Sequence, residues 1–170
     1  MIGGWEERLL ALGLELPPPP VPRGSYRPVM VWSDIAYVAG QVSRTPEGII
    51  AGPASDATDF PTIERASQAC VLRALAALND EVGLDRVAQI LFLRGFVFAQ
   101  AGFKRHSQVL DPASDLLTAV FGSSGTHARS AVGVAGLPDD GLLEIEIVVA
   151  LLPGVAPTSE PIGALPKRGP

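Results

Sequence analysis

Over residues 59–82 the apolar side chains Ile63, Ala66, Cys70, Ala74, Leu75 and Leu78 recur three and four positions apart, with Glu64, Arg65, Gln68 and Arg73 elsewhere around the wheel. That period predicts a packed amphipathic helix. Thr58 or Asp59 is placed to cap its start, Pro61 fits the first turn, and Gly83 is a natural stop. Residues 87–98, VAQILFLRGFVF, are rich in β-branched and aromatic side chains and too apolar for an exposed strand, so a central strand is predicted. Arg94 in this run shares strand parity with Phe92, Phe96 and Phe98, and is expected either to pair with an acid at an interface or to reach solvent at the strand end.

Around these two elements the pattern gives the rest. Residues 5–16, WEERLLALGLEL, predict a short amphipathic helix ending near Gly13, followed by a stiff extended PPPPVP linker over 17–22. Two apolar runs in YRPVMVWSDIAYVAGQVSR flank Ser33-Asp34 and predict a hairpin. A turn at 45–48, TPEG, precedes a short strand at Ile49-Ile50. Asp111-Pro112 is read as the opening of a second long helix, with Ala113, Leu116, Leu117, Val120 and Phe121 as its stripe and Gly122 as its end. The last two strands fall on either side of LPDDG and are read as a hairpin centred on Pro138-Asp139. Residues 153–170 form a proline-rich tail. The order predicts an α+β layer fold, a mixed sheet with two helices on one face. Three segments result: a leader over 1–22, a domain over 23–152 and the tail.

One segment resists a simple core reading. HARSAVGVAGLPDDGLLEIEIVVA, residues 127–150, is strongly apolar yet carries Arg129, Glu144 and Glu146. A buried charge without a partner costs several kcal/mol. Strand parity puts Arg129, Ala131, Gly133 and Ala135 on one face, and Glu144, Glu146, Val148 and Ala150 on one face of the partner. In the hairpin register Ala131 lies opposite Glu146 and Gly133 opposite Glu144, so Arg129 and both glutamates are expected on the same side. Small residues beside the carboxylates then read as a pocket floor, and the Ala131/Gly133/Ala135 face as one buried between protomers. His127 is expected on the opposite face, in a structural role. The alternative is an exposed sheet face with a surface ion pair of little energetic worth.

Composition narrows the classes. Of 170 residues 47% are hydrophobic and 18% charged, which excludes general disorder. A net charge of −5, with no long run among the 13 basic residues, argues against a nucleic-acid partner. The single cysteine, Cys70, allows no intrachain disulfide and is expected to be a buried inert thiol. With two histidines, His106 and His127, and that one cysteine, no zinc site is expected. His106, in the Lys104-Arg105-His106 run, is read as a solvated loop residue. No signal peptide or membrane span is recognisable, so a cytoplasmic protein without a membrane partner is expected.

HARSAVGVAGLPDDGLLEIEI resembles the C-terminal signature of the Rid (YjgF-type, reactive intermediate deaminase) family: A-R-S/T, a V-x-V-A-x-L-P turn, then a V/I-E-I/V-E strand. SYRPVMVWSDIAYVAGQVS is similar to the family's G-x-Y…S-G-Q segment, and the likeness spans roughly residues 22–151. The leader and VLDPASDLLTAVFGSSGTHARS resemble a longer subgroup, labelled translation inhibitor or L-PSP endoribonuclease-like. The resemblance implies a chorismate-mutase-like protomer, a homotrimer and ligand clefts at subunit boundaries. It implies that Arg129 binds a substrate carboxylate and that Glu144 positions water for attack on an imine carbon. Tyr26 and Gly40 match cleft residues of the family. Ala131 stands where many deaminating members have cysteine, Ser114 aligns with a ligand-contacting asparagine, and the loop 99–111 is longer than in compact members.

The residue types suit this chemistry. A guanidinium meets a carboxylate in a planar fork, and a partly desolvated carboxyl exchanges protons near neutrality. Imine hydrolysis needs water and proton transfers alone, so no cofactor or metal is expected. Three functions follow for test: a deaminase of small 2-imino acids, a non-catalytic trimeric binder of a small carboxylate metabolite, and an endoribonuclease or translation inhibitor, which the acidic charge disfavours.

Overall fold

The computed structural model describes residues 4–22 and 24–154; the proline-rich tail lies beyond these, apart from its first two residues. Ten helices and strands follow in order: α1 (Trp5–Ala11), β1 (Val29–Trp32), β2 (Ile35–Val42), β3 (Arg44–Thr45), β4 (Gly48–Ile49), α2 (Phe60–Val82), β5 (Val87–Phe98), α3 (His106–Phe121), β6 (Ala128–Val134) and β7 (Leu143–Leu151). Short 3-10 turns follow α2 and α3 and precede β7. Five strands form one mixed sheet in the order β1-β2-β7-β5-β6; β3 and β4 make a separate two-stranded ribbon. The α+β class with a mixed sheet is as the sequence predicts.

Helix α2 begins at the expected cap, where the Thr62 amide donates to Asp59 Oδ1 at 2.8 Å, and ends at Gly83, whose φ of +81° lies in the left-handed region. Its inward face, including Cys70, Ala74, Leu75 and Leu78, is fully buried against the sheet. The strand side of that core is Ile90, Leu93, Val97, Leu143, Ile145, Ile147 and Val149. β5 has neighbours on both edges, which explains its near-continuous apolar run. Arg94 is paired with an acid: its Nη1 donates to Glu146 Oε2 at 2.9 Å.

Three features depart from the sequence pattern. The second long helix opens at His106 rather than Asp111, so the second part of the expected loop 99–111, from residue 106 on, belongs to it and Pro112 lies inside. Proline there deletes one bond of the helical ladder; Ser67 Oγ of α2 donates to Val109 O at 3.0 Å and ties this turn of α3 to its neighbour. Asp111 is thereby a mid-helix side chain rather than a cap. The expected β6–β7 hairpin does not form: β5 lies between them, parallel to β6 and antiparallel to β7. The physical reason is the β5-α3-β6 crossover, which lays β6 parallel beside β5. The 3-10 turn at Pro138–Asp140 then carries the chain across to the far side of β5. Finally, a third helix joins the two expected on the sheet. α1 packs on α3, with Leu9 buried in the common core, Arg8 Nη1 donating to Val120 O at 2.9 Å, and Trp5 Nε1 donating to Asp85 Oδ1 at 3.1 Å.

Candidate functional site

β7 places its residues by strict alternation: Leu143, Ile145 and Ile147 are buried toward the helices, while Glu144 and Glu146 point away. Its entry is held firmly. The buried Ser43 hydroxyl donates to Ile50 O at 2.8 Å and accepts from the amides of Leu142 and Leu143 at 3.1 and 3.3 Å. Cys70 Sγ of α2 donates to Leu143 O at 3.4 Å. Glu144 follows directly. On β2 it is registered to Val42; just before this the register shifts between Val38 and Gln41, and Gly40 lies in that irregularity. A Cβ on Gly40 would overlap the Glu144 carboxylate, so glycine is what admits the side chain.

β1 covers the outer edge of β2 only as far as Ala39, whose amide donates to Pro28 O at 2.8 Å. Beyond it a cleft of about 200 Å3 opens, with Tyr26, Gly40, Arg44, Arg73, Asp139 and Glu144 among its lining. Arg44 pairs with Asp139 at its rim. Burial pushes the Glu144 carboxyl above its ordinary range, and the charge of nearby Glu146 adds to this. Burial likewise pushes the Cys70 thiol well up, which leaves it inert as expected.

Arg129 lies elsewhere, and the expectation that it shares a face with the glutamates is overturned. On β5, Leu93 faces the helices and is registered to Arg129, whereas Arg94 faces away and is registered to Glu146. Arg129 therefore projects under α3, where it bonds Asp111 Oδ1 at 2.5 Å, Ser107 Oγ at 2.8 Å and Ser114 Oγ at 3.0 Å. It is separated from Glu144 by two strand spacings and three residues, roughly 14 Å between backbones, as well as by the sheet itself. The small residues of β6 make room for α3 rather than a pocket floor: a Cβ at Gly133 would meet the His106 ring, and one at Gly95, registered to Ala131, would meet Leu110. The same contact corrects His106, which is not a solvated loop residue but the first residue of α3, seated on β6. The face left open carries instead the exposed Met30, Trp32, Tyr37 and Val132.

His127 lies two residues from Arg129 and hence on the same face, not the opposite one. Its Nδ1 donates to Gly125 O at 2.6 Å, which makes Nε2 the acceptor from the Ser114 hydroxyl at 3.0 Å. Ser114 in turn accepts from Arg129, so a directed chain runs Arg129, Ser114, His127, Gly125. Arg129, Ser114 and His127 line a second, more open cleft with Asp111, Asp115 and Thr118.

The six residues singled out by sequence thus separate. Tyr26, Gly40 and Glu144 form one cluster; Arg129 and Ser114 form another on the opposite face. Ala131 packs against the core and lines neither of these clefts. Arg73 and Arg44 were not foreseen in the first cluster; on the helical wheel Arg73 is merely one of several polar positions.

With this geometry in hand, the comparisons are decisive. The family described as YjgF/chorismate-mutase-like, putative endoribonuclease matches residues 6–151. The chain belongs to that family. A Trypanosoma cruzi relative, Protein TCP17, is 33% identical over 146 residues, covering 84% of this chain and 91% of the relative. Among solved structures, a protein of unknown function from Agrobacterium tumefaciens superposes with a TM-score of 0.78 at 31% identity, covering 86% of this chain and 91% of that one. A putative endoribonuclease from Shewanella oneidensis gives a TM-score of 0.82 at 28% identity, covering 88% and 100%. The match begins at residue 6, inside α1 (Trp5–Ala11), and so takes in most of that helix.

Proposed function

We propose that this YjgF-family chain is a deaminase of small 2-imino acids, and that its clefts are completed between copies in a homotrimer. The observation that carries the proposal is Glu144, a carboxyl seated by Gly40 in a small cleft and held by burial above its ordinary range. A carboxylate whose pKa is raised is the stronger base toward a bound water. Glu144 takes a proton from water as the oxygen attacks the imine carbon. The proton passes to nitrogen, and the tetrahedral carbinolamine collapses to a 2-keto acid and ammonia. Arg129 of a neighbouring copy holds the substrate carboxylate. The two clusters are complementary halves, one with the base and one with the anchor. The exposed apolar face of Met30, Trp32, Tyr37 and Val132 favours burial in an assembly.

The partner is thus a small carboxylate metabolite rather than nucleic acid. The relatives' endoribonuclease names fit poorly with a chain of net charge −5 and a cleft of about 200 Å3. A second reading, a non-catalytic binder, draws on Ser114, whose hydroxyl is committed to Arg129 and His127; it needs the Arg129 half and no base.

Subunit complementation tests the proposal. Glu144→Gln and Arg129→Ala each abolish hydrolysis of 2-iminobutanoate generated in situ by an amino-acid oxidase. Refolded together in equal amounts, they restore about a quarter of the wild-type rate, because one cleft in four joins an intact Arg129 to an intact Glu144. Mixing without recovery refutes the shared cleft. Wild type that binds 2-oxobutanoate saturably without accelerating hydrolysis is a binder.

A further inference from the structure

The anchor of this scheme already holds a carboxylate. A guanidinium meets a carboxylate in bidentate fashion along one of two edges, Nε with Nη2 or Nη1 with Nη2, and both edges use Nη2. In Arg129 the two N–H groups of Nη2 go to Asp111 Oδ1 at 2.5 Å and to Ser107 Oγ at 2.8 Å. Nη1 gives one more to Ser114 Oγ at 3.0 Å. No complete fork is left, so an incoming carboxylate takes hold only where one of these acceptors leaves.

Asp111 is the one free to leave. Ser107, Asp111 and Ser114 are spaced four and three residues apart and form one stripe of α3 over the guanidinium. The Asp111 side chain is 50% exposed and that of Arg129 26%, so Asp111 has water to swing into while the guanidinium stays in place. Ser114, bonded in turn to His127, still holds Nη1 once Asp111 has gone. Asp111 and Arg129 both line the open cleft, which gives a ligand direct access to their contact. A pair this exposed is weak enough to exchange. The contact also names its competitor, because what the fork accepts from its own chain is a carboxylate.

We propose that Asp111 is an internal stand-in for the substrate carboxylate, a gate on Arg129 that the ligand displaces. This rests on the reading of Arg129 as a carboxylate anchor. A tethered group competes at an effective concentration on the order of millimolar. Carboxylates that touch Arg129 alone are therefore held off, whereas a 2-imino acid that also meets the Glu144 half gains a second attachment.

Calorimetric titration of the full chain with 2-oxobutanoate tests the gate. Asn is isosteric at this half-exposed position, and Asp111→Asn binds the probe about fivefold more tightly than wild type, the upper end of what such an ion pair withholds. Asp115→Asn removes the same charge from the same cleft without freeing the fork, and its gain stays below about twofold. Adding Arg129→Ala to Asp111→Asn cancels the gain. Unchanged or weaker binding by Asp111→Asn overturns the gate and makes Asp111 a residue that merely steadies Arg129. Equal gains from the two Asp→Asn variants overturn it as well, since the effect is then general charge. A gain that survives Arg129→Ala does so too, because it does not pass through the anchor. Saturable binding by neither wild type nor Asp111→Asn refutes the anchor reading, and the gate with it.

Discussion

Gly40→Ala is the sharpest structural test of the Glu144 cleft. The added Cβ would lie 2.8 Å from the Glu144 carboxyl carbon. Ordinary carbon contacts are about 3.5–4.0 Å and the overlap with Glu144 Oε1 is closer still, so the carboxyl must retreat by more than about 1 Å. The backbone itself accepts alanine, since Gly40 is not among the residues of positive φ. Replacing glycine where no strain results stabilises by about 0.4–1 kcal/mol through the unfolded chain. Swinging the flexible end of Glu144 aside costs a similar amount, because what yields is a side-chain tip and not backbone. Stability should therefore change by less than about 1 kcal/mol, a Tm shift of at most about 4 °C for a domain of this size. Catalysis is far less tolerant. A misplacement near 1 Å costs about 100-fold, equivalent to roughly 2.7 kcal/mol of barrier. The assay pairs ammonia release from 2-iminobutanoate with a thermal melt, and Gly136→Ala, in open space, is the control. An unchanged rate refutes the idea that Gly40 seats a working carboxyl, and a collapse in Tm shows that Gly40 serves packing instead.

Two further outcomes follow from titrating groups. The folded chain raises the pKa of Glu144, so it binds that proton more readily than the unfolded chain does; its contribution to stability is fullest below the unfolded value and is lost as pH rises through the folded one. Wild type should accordingly gain stability relative to Glu144→Gln when denaturant melts are run at about pH 5 rather than about pH 8; a pH-independent difference would show that burial does not perturb the carboxyl. Asp59 has the opposite sign: its pKa is lowered by the cap bonds to Thr62, so its support is present above the unfolded value and fades as pH falls through the folded one. Asp59→Ala should lower Tm by about 2–4 °C at neutral pH, and the deficit should shrink in acid.

Much of the fold is written locally. The period of α2, its Asp59 cap and its Gly83 stop need only neighbours in sequence, and so does the apolar run that makes β5 central. Pairing of the last strands is not local. A short connection between β6 and β7 suggests a hairpin, yet the helix between β5 and β6 forces those two strands parallel and leaves the other edge of β5 for β7. That strand-helix-strand order was visible in the sequence and would have moved Arg129 to the helix side. The start of α3 was masked because Asp-Pro is a strong opening signal, here overridden by packing through Val109 and Leu110. Arg73 carried no signal at all: a polar residue on an amphipathic helix reads as solvated until α2 is docked beside Glu144.

Glu144 and Glu146 are the same residue type, two positions apart on one strand face, and only their surroundings separate them. Glu146 meets Arg94, which also lies 5.4 Å over the Phe92 ring, and both charged side chains remain substantially exposed. A pair of that kind contributes about 0–1 kcal/mol. Glu144 has Gly40 where any other residue would fill the space, and the edge of β2 beside it is uncovered because β1 stops short. It is thus screened enough to resist ionisation and open enough to meet a water and a small ligand. Both conditions come from backbone features, an irregularity in β2 and a truncated edge strand, and not from the glutamate itself. The base is therefore chosen by where the sheet is left incomplete.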